Sequence, residues 1–526
     1  MRACTGGLIA IESVVLGLTT PHAVFEEVAN EDNLEVILLL MFMVAATHFL
    51  KPMLLWVFSK VLLGIRTKWL AALTFCFASA ILSAFLDALT VTAVLITVAV
   101  GFYRIYAAAE HLQLDETRHP DQLDAAQAEQ LRADREEFKG FLCDLMMHGV
   151  MGTALGGCLT KVGEPQNLIV AAIMDWSFLE YFLRCAAVSV PVFFVGMFMC
   201  FVLERWCLFG YGATFPESIR EELQRHADEQ ERLQTRADKA KLYVQIGVSL
   251  FIVVALAAHA APVGLIGLAA IVLLTVFNGI IQEHELGHSF EEGMPFTALL
   301  VTFFAVVSVI HEQHLFEPII QWVLGVDSLG TQLSLMYLVT GVLSMISDNV
   351  FVASVYMSSL RNFFDAKFDD DGSVPDPDPF PRDEFDVLAV AVNAGTNVLS
   401  VATPNGQAAF LFLLTSSLAS LIHLTYLKMV KRAFPYFVVI SLVGFLMVVF
   451  ALEPMTTHLV EQGIVSNPAD RELPTQASVN ALVSPWSHSV HGVFQQHDMS
   501  YADWYQEHVM DINGTRYLAF PMHERR

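Results

Sequence analysis

Two widely separated stretches of this chain place the same polar groups inside apolar runs, and no other feature constrains its fold as tightly. The first is Ser83-Ala84-Phe85-Leu86-Asp87-Ala88-Leu89-Thr90, followed by Gly152-Thr153 and by Gly163-Glu164-Pro165-Gln166-Asn167. The second is Ser344-Met345-Ile346-Ser347-Asp348-Asn349, followed by Gly395-Thr396-Asn397 and by Thr403-Pro404-Asn405-Gly406. Each copy holds a carboxylate in an apolar run, then a Gly-Thr, then a Pro beside an amide. Paired polar breaks in two halves of a membrane chain point to a substrate site where the halves meet.

The surroundings are those of a bilayer. Of 526 residues 55% are hydrophobic and 16% charged, whereas soluble chains carry about 25% charged residues. Mean hydropathy is +0.53. A span needs about 20 apolar residues, and roughly ten runs approach that length. The clearest are Leu34–Phe58, Trp69–Tyr103, Phe178–Leu203, Tyr243–Ile281, Phe296–Ile310, Leu333–Leu360, Ala408–Leu427 and Phe434–Leu452. A run of about 35 residues fits two short spans, or a re-entrant hairpin plus a span. These runs lack the polar face that a soluble helix carries. The fold class implied is an all-α polytopic membrane protein.

The net charge of −25 sits outside the membrane. Many acids lie in Asp121–Glu137, Glu217–Asp238, Glu283–Glu292 and Asp365–Asp386, which read as solvated loops. Nucleic-acid binding is excluded for want of a basic footprint. Lys and Arg gather at Lys60, Arg66 and Lys68, in Arg104–Lys139, in Arg205–Lys241, and at Lys428, Lys431 and Arg432. The positive-inside rule makes these segments cytoplasmic and leaves Glu283–Glu292, which has no Lys or Arg, outside. The seven cysteines form no C-x-x-C and read as small packing residues. Met1-Arg2-Ala3-Cys4 does not open a signal peptide. Gly6–Thr20 is short for a span and reads as a half-helix. After Glu453 the chain turns polar, with scattered His and no ligand spacing. It reads as a partly ordered soluble tail, in which Asn513-Gly514-Thr515 fits a glycosylation sequon of a kind common by chance.

Ionisable groups at membrane depth need a reason. Asp87 sits in the uncharged run Ile81–Val100, with Thr90 and Thr92 one turn on. Kept from water, such a carboxylate exchanges its proton more readily near neutral pH. Ionised, it is a hard oxygen ligand for a small cation, so one group holds a proton or a cation but not both. The bland alternative is an Asp at a helix end. Asp348 is the counterpart, beside Asn349, and its alternative is a hairpin tip satisfied by local N–H groups. Glycines at 152, 156, 157, 163, 395 and 406, with Pro165 and Pro404, break the partner segments. Broken backbone at this depth is tolerated only where it lines a cavity. Glu164 lies within the first break, as a second carrier or as the partner of Lys161. Asp144 and His148 are four apart on one helix face and can pair with each other. His284-Glu285-Leu286-Gly287-His288 matches H-E-x-x-H, a zinc motif when helical. Here Gly287 and the acidic flank read as a loop, without a third ligand at a diagnostic spacing, so no zinc site is expected.

Several long strings are similar to NhaB-type sodium/proton antiporters. They are Leu82-Ser83-Ala84-Phe85-Leu86-Asp87-Ala88-Leu89-Thr90-Val91, Gly152-Thr153-Ala154-Leu155-Gly156-Gly157, Gly163-Glu164-Pro165-Gln166-Asn167-Leu168-Ile169, Ser347-Asp348-Asn349-Val350-Phe351-Val352-Ala353, and Asn393-Ala394-Gly395-Thr396-Asn397 through Thr403-Pro404-Asn405-Gly406-Gln407. The similarity runs from about Gly7 to about Leu452. It implies two inverted repeats, each with a re-entrant hairpin and a broken helix, in a multi-pass protein of the bacterial inner membrane. It further implies Na⁺, and with it Li⁺, exchanged for H⁺ without a cofactor. The family's frame has one or two further hydrophobic segments before Gly6-Gly7, so the sequence is expected to start inside it. Residues 1–240 would form the first repeat with its cytoplasmic loops, 241–453 the second, and 454–526 the tail. The ion-binding and proton-coupling set would be Asp87, Thr90, Glu164, Asn167, Asp348, Asn349, Thr396, Asn397, Thr403 and Asn405, with Na⁺ on the same oxygens. The other partners are the lipid bilayer and a second copy in a homodimer. Two other readings are a related carrier of an anion such as a dicarboxylate or arsenite, which the hairpin Asp residues disfavour, and an intramembrane zinc metalloprotease.

Overall fold

The computed structural model describes residues 2–29, 31–116, 125–215, 217–258, 260–280, 282–365, 382–466, 509–512 and 515–518. Residues 1–465 form one compact unit. In the other, Val509–Ile512 pairs antiparallel with Thr515–Leu518. The scattered tail histidines at 488, 491, 497, 508 and 523, the sequon Asn513 and the acids of 366–381 lie outside the described residues.

Among the described residues, seven helices are long and apolar enough to cross a bilayer: Lys68–Phe85, Ala88–Ile105, Phe178–Trp206, Arg236–Ala257, Leu329–Ile346, Glu384–Ala402 and Tyr426–Glu461. Asn33–His48 and Lys51–Gly64, bent by 63°, make an eighth if they are one span. Several of the long apolar runs are divided, as a re-entrant hairpin or a pair of short spans requires. Trp69–Tyr103 splits at Leu86-Asp87 into Lys68–Phe85 and Ala88–Glu116. Leu333–Leu360 splits at Ser347-Asp348 into Leu329–Ile346 and Asn349–Asp365. Ala408–Thr415 has 8 residues, about 12 Å of helix against a hydrocarbon core of about 30 Å. Such a piece is tolerated only against protein.

Local chemistry sets the ends. Ser177 Oγ accepts from Glu180 N at 3.2 Å to start Phe178–Trp206. Thr235 and Asp238 form a capping box before Arg236–Ala257. Gly279, at φ +69°, closes Val263–Asn278 with a left-handed turn. Outward faces carry Leu265, Val272, Val276, Leu442 and Phe450 in the open, as lipid contact requires.

Two expectations are corrected. Glu283–Glu292 is not a loop but the opening turns of the helix Glu283–Glu312. Nor does it lie opposite the basic segments, since His284, Glu285 and His288 share a cavity with Lys241. Glu283 and Glu285, two of the acids that suggested a loop, sit in the first turn, where the helix dipole favours them, and this helix packs on Val44–His48.

The architecture repeats itself. Lys68–Phe85 packs along Ala125–Gly157, and Leu329–Ile346 packs along Arg382–Val398. In each pair a hairpin arm lies against a helix that breaks. The short helix beyond each break then crosses to the other half. Pro165–Ile173 packs on Asn349–Asp365, and Ala408–Thr415 packs on Ala88–Glu116. Both breaks are thereby held beside both hairpin tips.

Candidate ion-binding site

The first hairpin turns where the arm Lys68–Phe85 ends at an extended Leu86, whose N–H donates to Leu82 O at 2.7 Å. Asp87 then caps the return arm, its Oδ2 accepting from Thr90 N at 3.1 Å. The second hairpin repeats the device. Ser347 N donates to Leu343 O at 2.8 Å, and Asp348 Oδ1 accepts from Val350 N at 3.0 Å. Asp87 is buried, while Asp348 is partly exposed. Asn349 is fully buried, and neither of its amide atoms has a hydrogen-bond partner among the described residues.

The broken helices fit against the hairpin arms because glycine removes the side chain that would block them. A Cβ on Gly152 would lie 2.3 Å from Cys76 O, and one on Gly395 would lie 2.5 Å from Tyr337 O. Thr160 Oγ1 donates to Ala84 O, and Thr403 Oγ1 donates to Met345 O at 2.6 Å. Each hydroxyl thus pins a break to its own hairpin.

Amides join the two halves. Gln166 Nε2 donates to Asn397 Oδ1 at 3.0 Å, and Asn397 Nδ2 donates to Asn167 Oδ1 at 2.7 Å. Asn167 Nδ2 donates in turn to the carbonyls of Gly157 at 2.8 Å and Thr160 at 2.9 Å, inside the broken segment. Asn393 Nδ2 reaches the hydroxyl of Tyr181 at 2.7 Å. A cavity of about 10 Å³ lined by Ser189, Asn393 and Asn397 matches one water. Glu164 is buried within electrostatic reach of both Asp87 and Asp348, and its Oε1 has no hydrogen-bond partner among the described residues. The same holds for Gln166 Oε1, Ser344 Oγ and Gln407 Oε1.

Of the residues expected from sequence, Asp87, Glu164, Asn167, Asn349 and Asn397 come to the hairpin–break region as buried groups. Thr90 is buried beside Asp87. Thr396 is buried too, but its hydroxyl donates back to Asn393 O at 3.0 Å. Thr403 is engaged by Met345 O. Asn405 lies farther out, its Nδ2 3.5 Å from the hydroxyl of Tyr426. Lys161 does not pair with Glu164, since its ammonium donates to Trp176 O at 3.3 Å. Sequence reasoning missed Gln166, Gln407 and Thr47. Thr47 ends a helix before the 63° bend, and its hydroxyl lies 3.0 Å from that of Thr90. Amides and hydroxyls in apolar runs are weak signals, but a register that paired Glu164 with Gln407 would have flagged Gln407.

Asp144 and His148 do not pair with each other. Asp144 forms an ion pair with Arg432 and accepts from Gly212 N and Ala213 N, each at 2.9 Å. His148 has Nδ1 2.7 Å from the Tyr436 hydroxyl and Nε2 2.9 Å from Glu204 Oε1. Helical spacing permits an i,i+4 pair, but partners from other helices satisfied both side chains first. The H-E-x-x-H histidines line a cavity of about 390 Å³ with His48, Lys241 and Asn278. Among the described residues, no group of three His, Cys, Asp or Glu is placed to hold a metal ion.

Known proteins resemble this chain over most of its length. The family model described as bacterial Na⁺/H⁺ antiporter B (NhaB) matches residues 2–467. A Na⁺/H⁺ antiporter NhaB from Vibrio cholerae is 50% identical over 462 residues, covering 88% of this chain and 85% of the relative. The protein of that name from Saccharophagus degradans is 54% identical over 439 residues, covering 84% and 85%. The one from Yersinia enterocolitica is 50% identical over 463 residues, covering 88% and 85%. With two carboxylate-tipped hairpins, two breaks facing them and a match over nearly its whole length, the chain belongs to the NhaB family of bacterial Na⁺/H⁺ antiporters.

Proposed function

We propose that this protein exchanges Na⁺ for H⁺ across the bacterial inner membrane and accepts Li⁺ at the same site. The relatives' shared name supports the exchange. The observation that carries the site is the set of buried side-chain oxygens at the breaks and tips that have no hydrogen-bond partner among the described residues, on Glu164, Gln166, Ser344, Asn349 and Gln407. Buried polar atoms are nearly always hydrogen-bonded, and hard cations take oxygen ligands. Buried oxygens without a donor suit a cation that arrives and departs.

In this reading Na⁺ is cargo, held by Asp87 with hydroxyl, amide and carbonyl oxygens of the breaks. A proton on the carboxylate removes the charge that attracts the ion, so the two cargoes alternate on one group. Residues 1–240 and 241–453 act as two repeats of opposite membrane orientation, followed by a tail at 454–526, and two copies associate as a homodimer. An anion carrier would present neutral or positive groups at the tips, whereas both tips here carry Asp.

The test is purified protein in liposomes with an internal pH-sensitive dye. Addition of Na⁺ or Li⁺ is expected to collapse an imposed pH gradient. Folded protein that responds to neither cation overturns the reading.

A further inference from the structure

We infer that Thr47, on the bent first span, sets the hydrogen-bond direction of Thr90 and thereby makes Thr90 an oxygen ligand for the cation at Asp87. The inference rests on the reading of the protein as a Na⁺/H⁺ exchanger and adds to it a residue outside both hairpins and both breaks.

Thr47 lies in the helix Val44–His48, immediately before the 63° bend. It is fully buried. Its single hydroxyl proton is donated to Val44 O, at 2.8 Å. A carbonyl only accepts, so the direction of that bond is fixed. The second contact of Thr47 Oγ1, 3.0 Å from Thr90 Oγ1, fits either hydroxyl as donor; with the Thr47 proton on Val44 O, it is Thr90 that donates.

That commitment matters because Thr90 has another claim on its proton. Its hydroxyl also faces the Asp87 carboxylate, and its backbone N–H already donates to Asp87 Oδ2 at 3.1 Å. A hydroxyl carries one proton and two acceptor lone pairs. With the proton drawn toward Thr47, the lone pairs of Thr90 and the carboxylate of Asp87 stand together as acceptors. Two acceptors side by side are a poor pair alone and a good one around a cation. Without Thr47, the Thr90 proton turns to Asp87 and takes up one of the carboxylate's acceptor sites, leaving fewer for Na⁺. Thr47 is thus a positioning residue that acts through Thr90.

The same placement gives the bent span a role. Helix Val44–His48 packs against Ala88–Glu116 on one side and against Glu283–Glu312 on the other. Thr47 serves the first contact, while His48 meets the His288 ring at 5.4 Å on the second.

The test uses full-length protein in liposomes, reading exchange rate against Na⁺ concentration. Thr47→Val is expected to raise the half-saturating Na⁺ concentration roughly tenfold, the effect of one redirected hydrogen bond, with the maximal rate within about twofold of wild type. Thr47→Ser, which keeps the hydroxyl, should behave like wild type. Thr47→Val combined with Thr90→Val should be no worse than Thr90→Val alone, because Thr47 acts only through Thr90. If Thr47→Val does not reach the membrane, Thr47→Ala reads the same shift. An unchanged Na⁺ requirement in a variant without the hydroxyl overturns the inference. So does a Thr47→Ser variant as impaired as Thr47→Val, which assigns the residue to packing. Wild type without Na⁺-driven exchange fails the functional reading itself, and that outcome is separate because it is read before any variant.

Discussion

At the first break Glu164 stands where the second break has Gln407. Their equivalence follows from contacts. Thr160 and Thr403 each donate to the hairpin carbonyl three residues before the tip carboxylate, that of Ala84 and that of Met345. A Cβ on Gly163 would meet Ser83 O at 2.9 Å, and one on Gly406 would meet Ser344 O at 2.4 Å. The next residue along is Glu164 in one half and Gln407 in the other. Pro165 and Pro404, which look alike in sequence, are not partners, for Pro165 matches Ala408 and Pro404 matches Lys161. The halves also exchange a glycine. A Cβ on Gly156 would lie 1.9 Å from Ala80 O, on the hairpin side. In the other half the glycine is on the hairpin, where a Cβ on Gly341 would lie 2.5 Å from Leu399 Cδ2. What is repeated is close approach of hairpin and broken helix, not the residue that permits it. What differs is charge, with a carboxylate in one break and an amide in the other. The same backbone therefore presents a carboxylate at the first break and a neutral amide at the second.

The comparison breaks most sharply at the tips. Asp87→Asn removes both the titrating group and the ligand charge at a fully buried site. Exchange should fall by about 100-fold or more, against roughly tenfold for Asp348→Asn on the partly exposed tip. Rates in vesicles at matched protein levels decide it, and equal or reversed losses would remove the asymmetry. At the breaks, Glu164→Gln makes the first half resemble the second. Its exchange should drop roughly tenfold while Gln407→Ala stays within about threefold. If Gln407→Ala is the worse of the two, charge is not what distinguishes the halves.

Acidity probes the same point. If protons and Na⁺ share one set of oxygens, as proposed, lowering pH favours the protonated carboxylate and should raise the apparent KM for Na⁺. Each pH unit corresponds to about 1.4 kcal/mol of competition per proton exchanged, up to tenfold in KM, with the saturated rate less affected. A KM flat from acid to alkaline conditions would assign proton and cation to separate paths. The smallest expected effect is on stability. Gly156→Ala meets a backbone carbonyl that cannot move aside and should cost about 1–3 kcal/mol. Gly341→Ala meets the Leu399 side chain, at 2.5 Å from Cδ2 and 2.9 Å from Cβ, rather than backbone, and should cost less. Thermal unfolding in detergent compares them, and equal losses would argue that the two approaches are equally tight.

Much of the fold was legible in the chain. Apolar length against a fixed bilayer thickness marks spans, and Asp87 and Asp348 stand out because a charge in an apolar run has few local explanations. Glu164, Asn167, Asn349 and Asn397 were legible for the same reason. The H-E-x-x-H segment misled, because Gly287 and the acids of Glu283–Glu292 suit both a loop and a capped helix start, and packing on Val44–His48 chose between them.

Sequence by itself determined that this is a membrane protein with carboxylates in two apolar runs and two Gly- and Pro-marked breaks, since hydropathy and helix-breaking residues act locally and each run reports its own burial. Only the tertiary structure decided which groups meet. It matched Glu164 with Gln407, gave Asp144 to Arg432 and His148 to Glu204 and Tyr436, and brought Thr47 to Thr90. Those pairings join residues far apart in the chain. Helical spacing offers several partners of comparable energy for one polar side chain, and the choice among them falls to whichever helix the packing brings within about 3 Å.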